Sequence, residues 1–415
     1  MRGCTAHVGH VHAGSVNSGT AQPDPMQAGH GRSDSAPSDP MQASLAEAAL
    51  GEAARIAVQD SLKIKKSETV MIVTNPSPDV ARISRALYDA VVDAGGRPLL
   101  IFQGPKTQLD FAEDGIIAAF SSHPDAFISM SAEKLGKDRK GIASPYEHQG
   151  KKWDHIFHLQ LYAEKTCRSF WSPSTTVESF TRTVPIDYRL LKERCAAIKR
   201  VLDLAAAVRI RAPGGTDITL GLRGRLAYSD DGDFSEGGKG GNLPAGETYI
   251  SPQNGTAQGV IVFDGSISLH DGDILIKEPI RCTVEDGFIT RIEGGEEAKA
   301  LEATIALAEQ NALDFERTGK LPAGSGRLYA KNARNIGELG IGLNPKARVS
   351  GNMLEDEKAF RTCHFAVGHN YDEDAPALIH LDGLVGGPTI QAIMADGTKV
   401  AIEEEGELLP AFRDM

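Results

Sequence analysis

The chain predicts an α/β protein in two parts. An N-terminal parallel βαβ domain is followed by a mixed, largely antiparallel α+β domain. Three observations carry that reading. Short apolar strands alternate with helical stretches between residues 44 and 205, at the spacing of βαβ units. Brief β-rich runs punctuated by glycine turns dominate from residue 206 to 415. Histidines and carboxylates then enter the last apolar strands, where such groups are costly unless paired or bound to a cation.

Residues 1–43 stand apart. They are rich in Gly, Ser, His, Pro and Asp and hold almost no large apolar side chain, so a disordered tail is expected. Within them Asp24-Pro-Met-Gln-Ala28 recurs as Asp39-Pro-Met-Gln-Ala43, and His7, His10, His12 and His30 could take up metal adventitiously. Arg2 alone, with no apolar run behind it, does not make a secretory leader, and Met26 or Met41 could serve as the native start.

From Ser44 the elements follow in order. Leu45, Ala49, Ala53, Ile56 and Ala57 fall at helical spacing. Glu68–Thr74 reads as a strand, Asn75-Pro-Ser-Pro78 as a turn, and Val80–Asp93 as a helix that Asp79 could cap and Gly95-Gly96 stops. Arg97–Phe102, Asp125–Met130 and Asp154–His158 read as further strands of a parallel sheet. The turn at Asn75 lacks G-x-G-x-x-G and no P-loop occurs, so dinucleotide and nucleotide binding lose their main support. Gly237-Gly-Lys-Gly-Gly241 reads as a flexible loop. A long helix, Tyr188–Ala207, closes the first half. Then come a hairpin over Val208–Leu220, strands near 259–264, 273–277, 280–284 and 288–292, a helix over Glu296–Thr318, and strands from Asn335 to Val400.

Composition excludes several classes of function. A net charge of -12 argues against nucleic acid as partner. No apolar run approaches the roughly 20 residues that a membrane helix needs. Five scattered cysteines form no CxxC pair, so a reducing, cytoplasmic setting is expected.

The chemistry concentrates in Glu338 of Ile336-Gly-Glu-Leu-Gly-Ile-Gly-Leu343, His364 of Thr-Cys-His-Phe-Ala-Val-Gly368, and His380 and Asp382 of His-Leu-Asp-Gly383. His380 and Asp382 are two apart and share a strand face, whereas Cys363 points away from the face of His364. Glu247 follows a Pro/Gly turn upstream. Imidazole nitrogen and carboxylate oxygen are donors for a divalent transition metal, so the second domain reads as a metal-binding one. An upstream histidine with a later His-x-Asp strand also fits the two-histidine, one-carboxylate pattern of mononuclear iron oxygenases.

Several segments resemble the aminopeptidase T-type family of dinuclear metallopeptidases, the thermophilic aminopeptidases. They are Gly241-Asn-Leu-Pro-Ala-Gly-Glu247, Asn335–Pro345, Met353-Leu-Glu-Asp-Glu-Lys358 through Gly368, and His380–Gly383. Val184–Tyr188 and Pro213–Asp217 are similar as well, so the resemblance runs from about Ser44 to the C-terminus. It implies two divalent ions (zinc, cobalt or manganese) held by Glu247, Glu338, His364, His380 and Asp382, with Glu338 as the bridge. It also implies a catalytic tyrosine, Tyr371, an enclosed homodimer, and release of N-terminal amino acids from peptides by a metal-activated water. In that scheme Tyr371 donates to the oxyanion and Glu247 shuttles the proton. The stretch between Gly368 and His380 is shorter and more acidic than the glycine-rich insertion of the peptidases. The same superfamily includes a single-iron dioxygenase that opens dihydroxypyridine. The alternative readings are therefore one Fe(II) with ring cleavage of a small molecule, or a binding protein without catalysis.

Overall fold

The structure is a computed structural model, and it describes residues 40–107 and 110–414. The tail expected over 1–43 lies outside the described residues as far as 39, and Pro40–Ile56 is a helix.

The parallel sheet is assembled in the order Gly240–Asn242, Arg168–Trp171, Ala126–Met130, Thr69–Thr74, Arg97–Phe102. Its central strands are buried from Val70 to Thr74 and from Ala126 to Met130, as expected where helices cover both faces. The helix Pro78–Asp93 starts with Pro at its first turn and buries Val80, Ile83, Leu87, Ala90 and Val91, one apolar stripe at helical spacing. Asp79 does not cap it. Ser77 occupies that position, and Asp79 Oδ1 instead accepts from the Val177 N–H at 3.2 Å. Phe120, Phe127 and Phe157 pack at 4.8 to 5.9 Å on the other side of the sheet.

Two sequence expectations change here. Asp154–His158 is not a strand: Ile156–His158 is a helical turn running into a wider one over Leu159–Ala163. The missing parallel strand is Arg168–Trp171. Its polar start is tolerated because buried Arg168 donates to Glu68 Oε2 at 2.5 Å and to the Leu62 carbonyl at 2.8 Å. Part of the expected glycine loop, Gly240–Asn242, pairs in parallel with that strand.

Two antiparallel sheets follow. The helix Tyr188–Leu204, capped by Asp187 on the Leu190 N–H, passes directly into the strand Ala205–Arg211. That strand belongs to an eight-stranded sheet ending in Lys399–Glu404 and Glu407–Leu408. The seven-stranded sheet has the order Gly272–Leu275, Ser266–Leu269, His380–Gly386, Thr362–Gly368, Ile336–Gly342, Glu247–Ile250, Tyr228–Asp230. The overall class is the α/β arrangement expected, and no helix among the described residues is long and apolar enough to cross a membrane.

Candidate metal centre

The register of the seven-stranded sheet builds the site. Glu338 lies opposite Ala366, which lies opposite Asp382; Gly340 lies opposite His364; Gly368 lies opposite His380; and Glu247 lies between Gly342 and Asp230. Directly opposed residues share a face, so all these side chains project from one side of the sheet. The spaces between them hold Gly340, Gly342, Ala366 and Gly368. The other face carries Leu339, Ile341, Phe365, Val367, Leu381 and Val385, all buried in the core. Cys363 is on that far face, as the alternation predicts.

Gly340 is demanded by the ring beside it. A Cβ at that position would overlap the His364 imidazole, so the ring lies over bare backbone.

All five residues expected to gather do so. Glu338 reaches both imidazoles, Oε1 at 3.2 Å from His364 Nε2 and Oε2 at 3.4 Å from His380 Nε2. Glu247 Oε2 is 3.4 Å from His364 Nε2, and Asp382 Oδ1 is 3.4 Å from His380 Nε2. His380 Nδ1 is 2.9 Å from the His369 carbonyl, which orients the ring with Nε2 inward. Tyr371 stands edge-on to His380 at 5.3 Å and 5.0 Å from the Tyr249 ring, itself beside Tyr228.

The structure adds three charged residues that had been given no role. Lys358 is fully buried, with Nζ 2.6 Å from Glu247 Oε1, 2.6 Å from Glu357 Oε1 and 3.4 Å from Asp230 Oδ2. Glu357 and Lys358 lie within Met353–Lys358, where the sequence signal was an acidic run ending in lysine. Asp230 had no local signal; its place comes from pairing opposite Glu247.

Electrostatics follow from this crowding. Burial alone pushes Glu338 up, but both imidazoles outweigh it and hold the carboxylate below its ordinary value. Burial pushes His364 down, yet Glu338 and Glu247 raise it to about 9, and Asp382 and Glu338 keep His380 well above its ordinary value. Burial raises Asp230 to about 7 and Glu357 to about 8, against the pull of Lys358.

The residues fit a metal. Glu247 Oε2, Glu338 Oε2 and His364 Nδ1 are buried with no hydrogen-bond partner among the described residues, a costly state that a bound cation relieves for the oxygens. One donor atom from each of Glu247, Glu338 and His364 lies within 4.8 Å of the others; the same holds for Glu338, His380 and Asp382, and for Glu357, His364 and Asp382. Oxygen and imidazole nitrogen form the donor set of a divalent transition metal.

The acidic segment after Gly368 is tied down. Arg225 reaches Asp374 at 2.8 Å and Asp372 at 3.5 Å, Asn254 donates to the Asp374 carbonyl at 3.0 Å, and the Tyr371 N–H donates to Ser251 Oγ at 3.1 Å. A cavity of about 1270 Å³ is lined both by Glu338, His380 and Asp382 of the cluster and by Lys134, His158 and Trp171 of the first half of the chain.

Fold and donor set together make this a candidate metal centre on an aminopeptidase T-like scaffold. Wild-type AmpT from Thermus thermophilus superimposes with a TM-score of 0.60 at 18% identity, over 88% of this chain and 99% of that one. The 2,5-dihydroxypyridine dioxygenase of Pseudomonas putida KT2440 superimposes with a TM-score of 0.63, also at 18% identity, over 88% and 97%. At that identity both show a shared fold and no more. Sequence comparison separates the two. The NicX family model, described as 2,5-dihydroxypyridine 5,6-dioxygenase, matches residues 174–367. A curated 2,5-dihydroxypyridine 5,6-dioxygenase from Pseudomonas putida (strain KT2440) is 28% identical over 171 residues, which span 40% of this chain and 41% of that protein. These matches overturn the expectation of a hydrolase releasing amino acids from peptides. The motifs that suggested it belong to a scaffold shared by both chemistries, and scaffold does not set reaction.

Proposed function

We propose that this protein is a non-haem iron(II) dioxygenase that opens a hydroxylated aromatic ring of the dihydroxypyridine type. The observation that carries the reading is the dioxygenase family match over residues 174–367, which takes in Glu247, Glu338 and His364 of the buried cluster. His364, His380 and Asp382 would hold the iron, in the two-histidine, one-carboxylate combination of such enzymes, with Glu338 between the imidazoles. When bound, iron(II) supplies the one-electron chemistry that lets dioxygen react with a closed-shell ring.

The chain's own residues do the rest. Tyr371 and Tyr249 flank the cluster and offer faces on which a flat ring can stack. Glu357 borders the cavity, where its carboxylate, held by Lys358 at 2.6 Å, would accept a proton released from a ring hydroxyl. Lys358 keeps Glu247 and Glu357 in place without facing the substrate.

The test is anaerobic reconstitution with ferrous iron, then 2,5-dihydroxypyridine and ¹⁸O-labelled dioxygen. Loss of the ring absorbance, one dioxygen consumed per ring and both labelled atoms in the product are expected. Stoichiometric iron with no dioxygen uptake on any dihydroxypyridine or dihydroxybenzene would sink the reading.

A further inference from the structure

The cavity is larger than a single ring requires. Pockets for drug-sized ligands run roughly 300–1,000 Å³, and this one holds about 1270 Å³. Part of its lining, the loop after Ala126–Met130, falls at a distinctive place in the parallel sheet. The chain passes from the central strand Thr69–Thr74 to a neighbour on one side, Arg97–Phe102, and then to one on the other side, Ala126–Met130. Strand order therefore reverses between Thr69–Thr74 and Ala126–Met130, and the crevice at the carboxyl ends of such a pair is where open α/β sheets bind ligands.

The crevice is built and rigid. Fully buried Asn75 ends the central strand, donates to the Gln103 and Gly104 carbonyls at 3.0 and 3.1 Å, and accepts from the Ala132 N–H at 2.6 Å. The loop that follows Ala126–Met130 carries Lys134, whose N–H bonds the Lys106 carbonyl at 2.9 Å while its side chain lines the cavity. Among the described residues the Lys134 ammonium makes no hydrogen bond and no ion pair. The acids it feels most are Asp273, Glu133 and Glu357. Two of them are engaged elsewhere: Asp273 accepts from Ser268 Oγ and the Met353 N–H, and Glu357 accepts from Lys358. Desolvation lowers the Lys134 pKa, as expected of a cation without a counter-charge. Across the same cavity, Trp171, Phe157 and His158 form an aromatic wall, Phe157 edge-on to Trp171 at 6.2 Å and 5.5 Å from His158.

We propose that Lys134 and this aromatic wall form a second subsite that holds a carboxylate-bearing side chain of the substrate while the ring to be opened sits at the metal centre. Lys239 of the glycine-rich segment also lines the cavity but is engaged by Asp233 and Glu236 at 3.6 and 3.7 Å, whereas the Lys134 ammonium has no such partner among the described residues and can meet a carboxylate. The inference rests on the ring-cleaving reading and names the substrate class: hydroxylated rings carrying an anionic side chain.

The experiment titrates iron-loaded protein calorimetrically under argon with a dihydroxypyridine bearing a propionate side chain and with its primary amide. The carboxylate should bind about tenfold more tightly than the amide, the worth of one charge-assisted contact. Lys134→Met should erase that preference while leaving amide affinity unchanged, and Lys134→Arg should retain part of it. Equal affinities in the unaltered protein, no binding of either probe, or a preference that survives Lys134→Met overturns the subsite. Dioxygen uptake keeps the two ideas separable. A carboxylate preference without uptake retains the subsite and removes the dioxygenase reading; uptake without preference does the reverse.

Discussion

The seven-stranded and eight-stranded sheets both bury acidic side chains, but in different company. On the first, Glu247, Glu338, Glu357, Asp230 and Asp382 are gathered around Lys358, His364 and His380. On the second, Glu403 is buried on Lys399–Glu404 with Oε2 lacking a hydrogen-bond partner among the described residues and the influence of Arg361 to offset burial, and it is raised to about 8. Glu338, reached by two imidazoles, stays charged and keeps lone pairs for a metal, whereas burial lifts Glu357 and Asp230 of the same cluster as it lifts Glu403. An isolated acid escapes the cost of burial by taking a proton.

The largest effect expected from breaking this contrast comes from the cluster's own donors. His380→Ala or Asp382→Ala should lower iron retention by at least about 100-fold and abolish dioxygen uptake while circular dichroism stays native. Near-native metal content with full turnover in either variant would remove these residues from the site. Next is Lys358→Met, which leaves three carboxylates facing one another. A loss of about 3–5 kcal/mol in urea unfolding is expected, and an unchanged midpoint would mean that the carboxylates hold their positions without the ammonium.

Arg225→Ala acts one step away, by releasing Asp372 and Asp374 and so loosening the segment that sets Tyr371 against His380. Turnover should fall about tenfold with iron content unchanged, since positioning is what is lost; lost iron would point to a scaffold defect instead.

Glu403→Gln gives the smallest effect and bears on the other sheet. The ordinary value is 4.5 and the folded value about 8. Below pH 4.5 the group is protonated in both states and costs nothing. Between about 4.5 and 8 the unfolded chain releases its proton while the folded one keeps it, so stability falls as pH rises, and it levels off above 8. The Gln variant should lack that decline, and parallel pH profiles for the two proteins would show that Glu403 is not the group responsible.

The five donors were legible in the sequence because histidine and carboxylate at alternate positions of apolar strands conflict with burial unless something binds them. Lys358 was not, because a lysine at the end of an acidic run reads as a solvated pair, and only the fold brings Glu247 and Asp230 to it. Arg225 escaped for the same reason, since its partners are about 150 residues further along. Arg168–Trp171 was missed because its opening arginine is polar, and Ile156–His158 was misread because a short apolar run suits helix and strand alike. The motifs could not separate a peptidase from a dioxygenase because two differently named solved proteins share this strand architecture.

Gly340 gives the sheet a property beyond stability. With no side chain beneath it, the His364 ring rests on the peptide backbone of the neighbouring strand. Slipping the two strands by one residue would bring Leu339 or Ile341 under the ring in its place. The imidazole thus works as a gauge of strand alignment: only the correctly zipped sheet can seat it, so the chain cannot complete its metal centre before it has found its register.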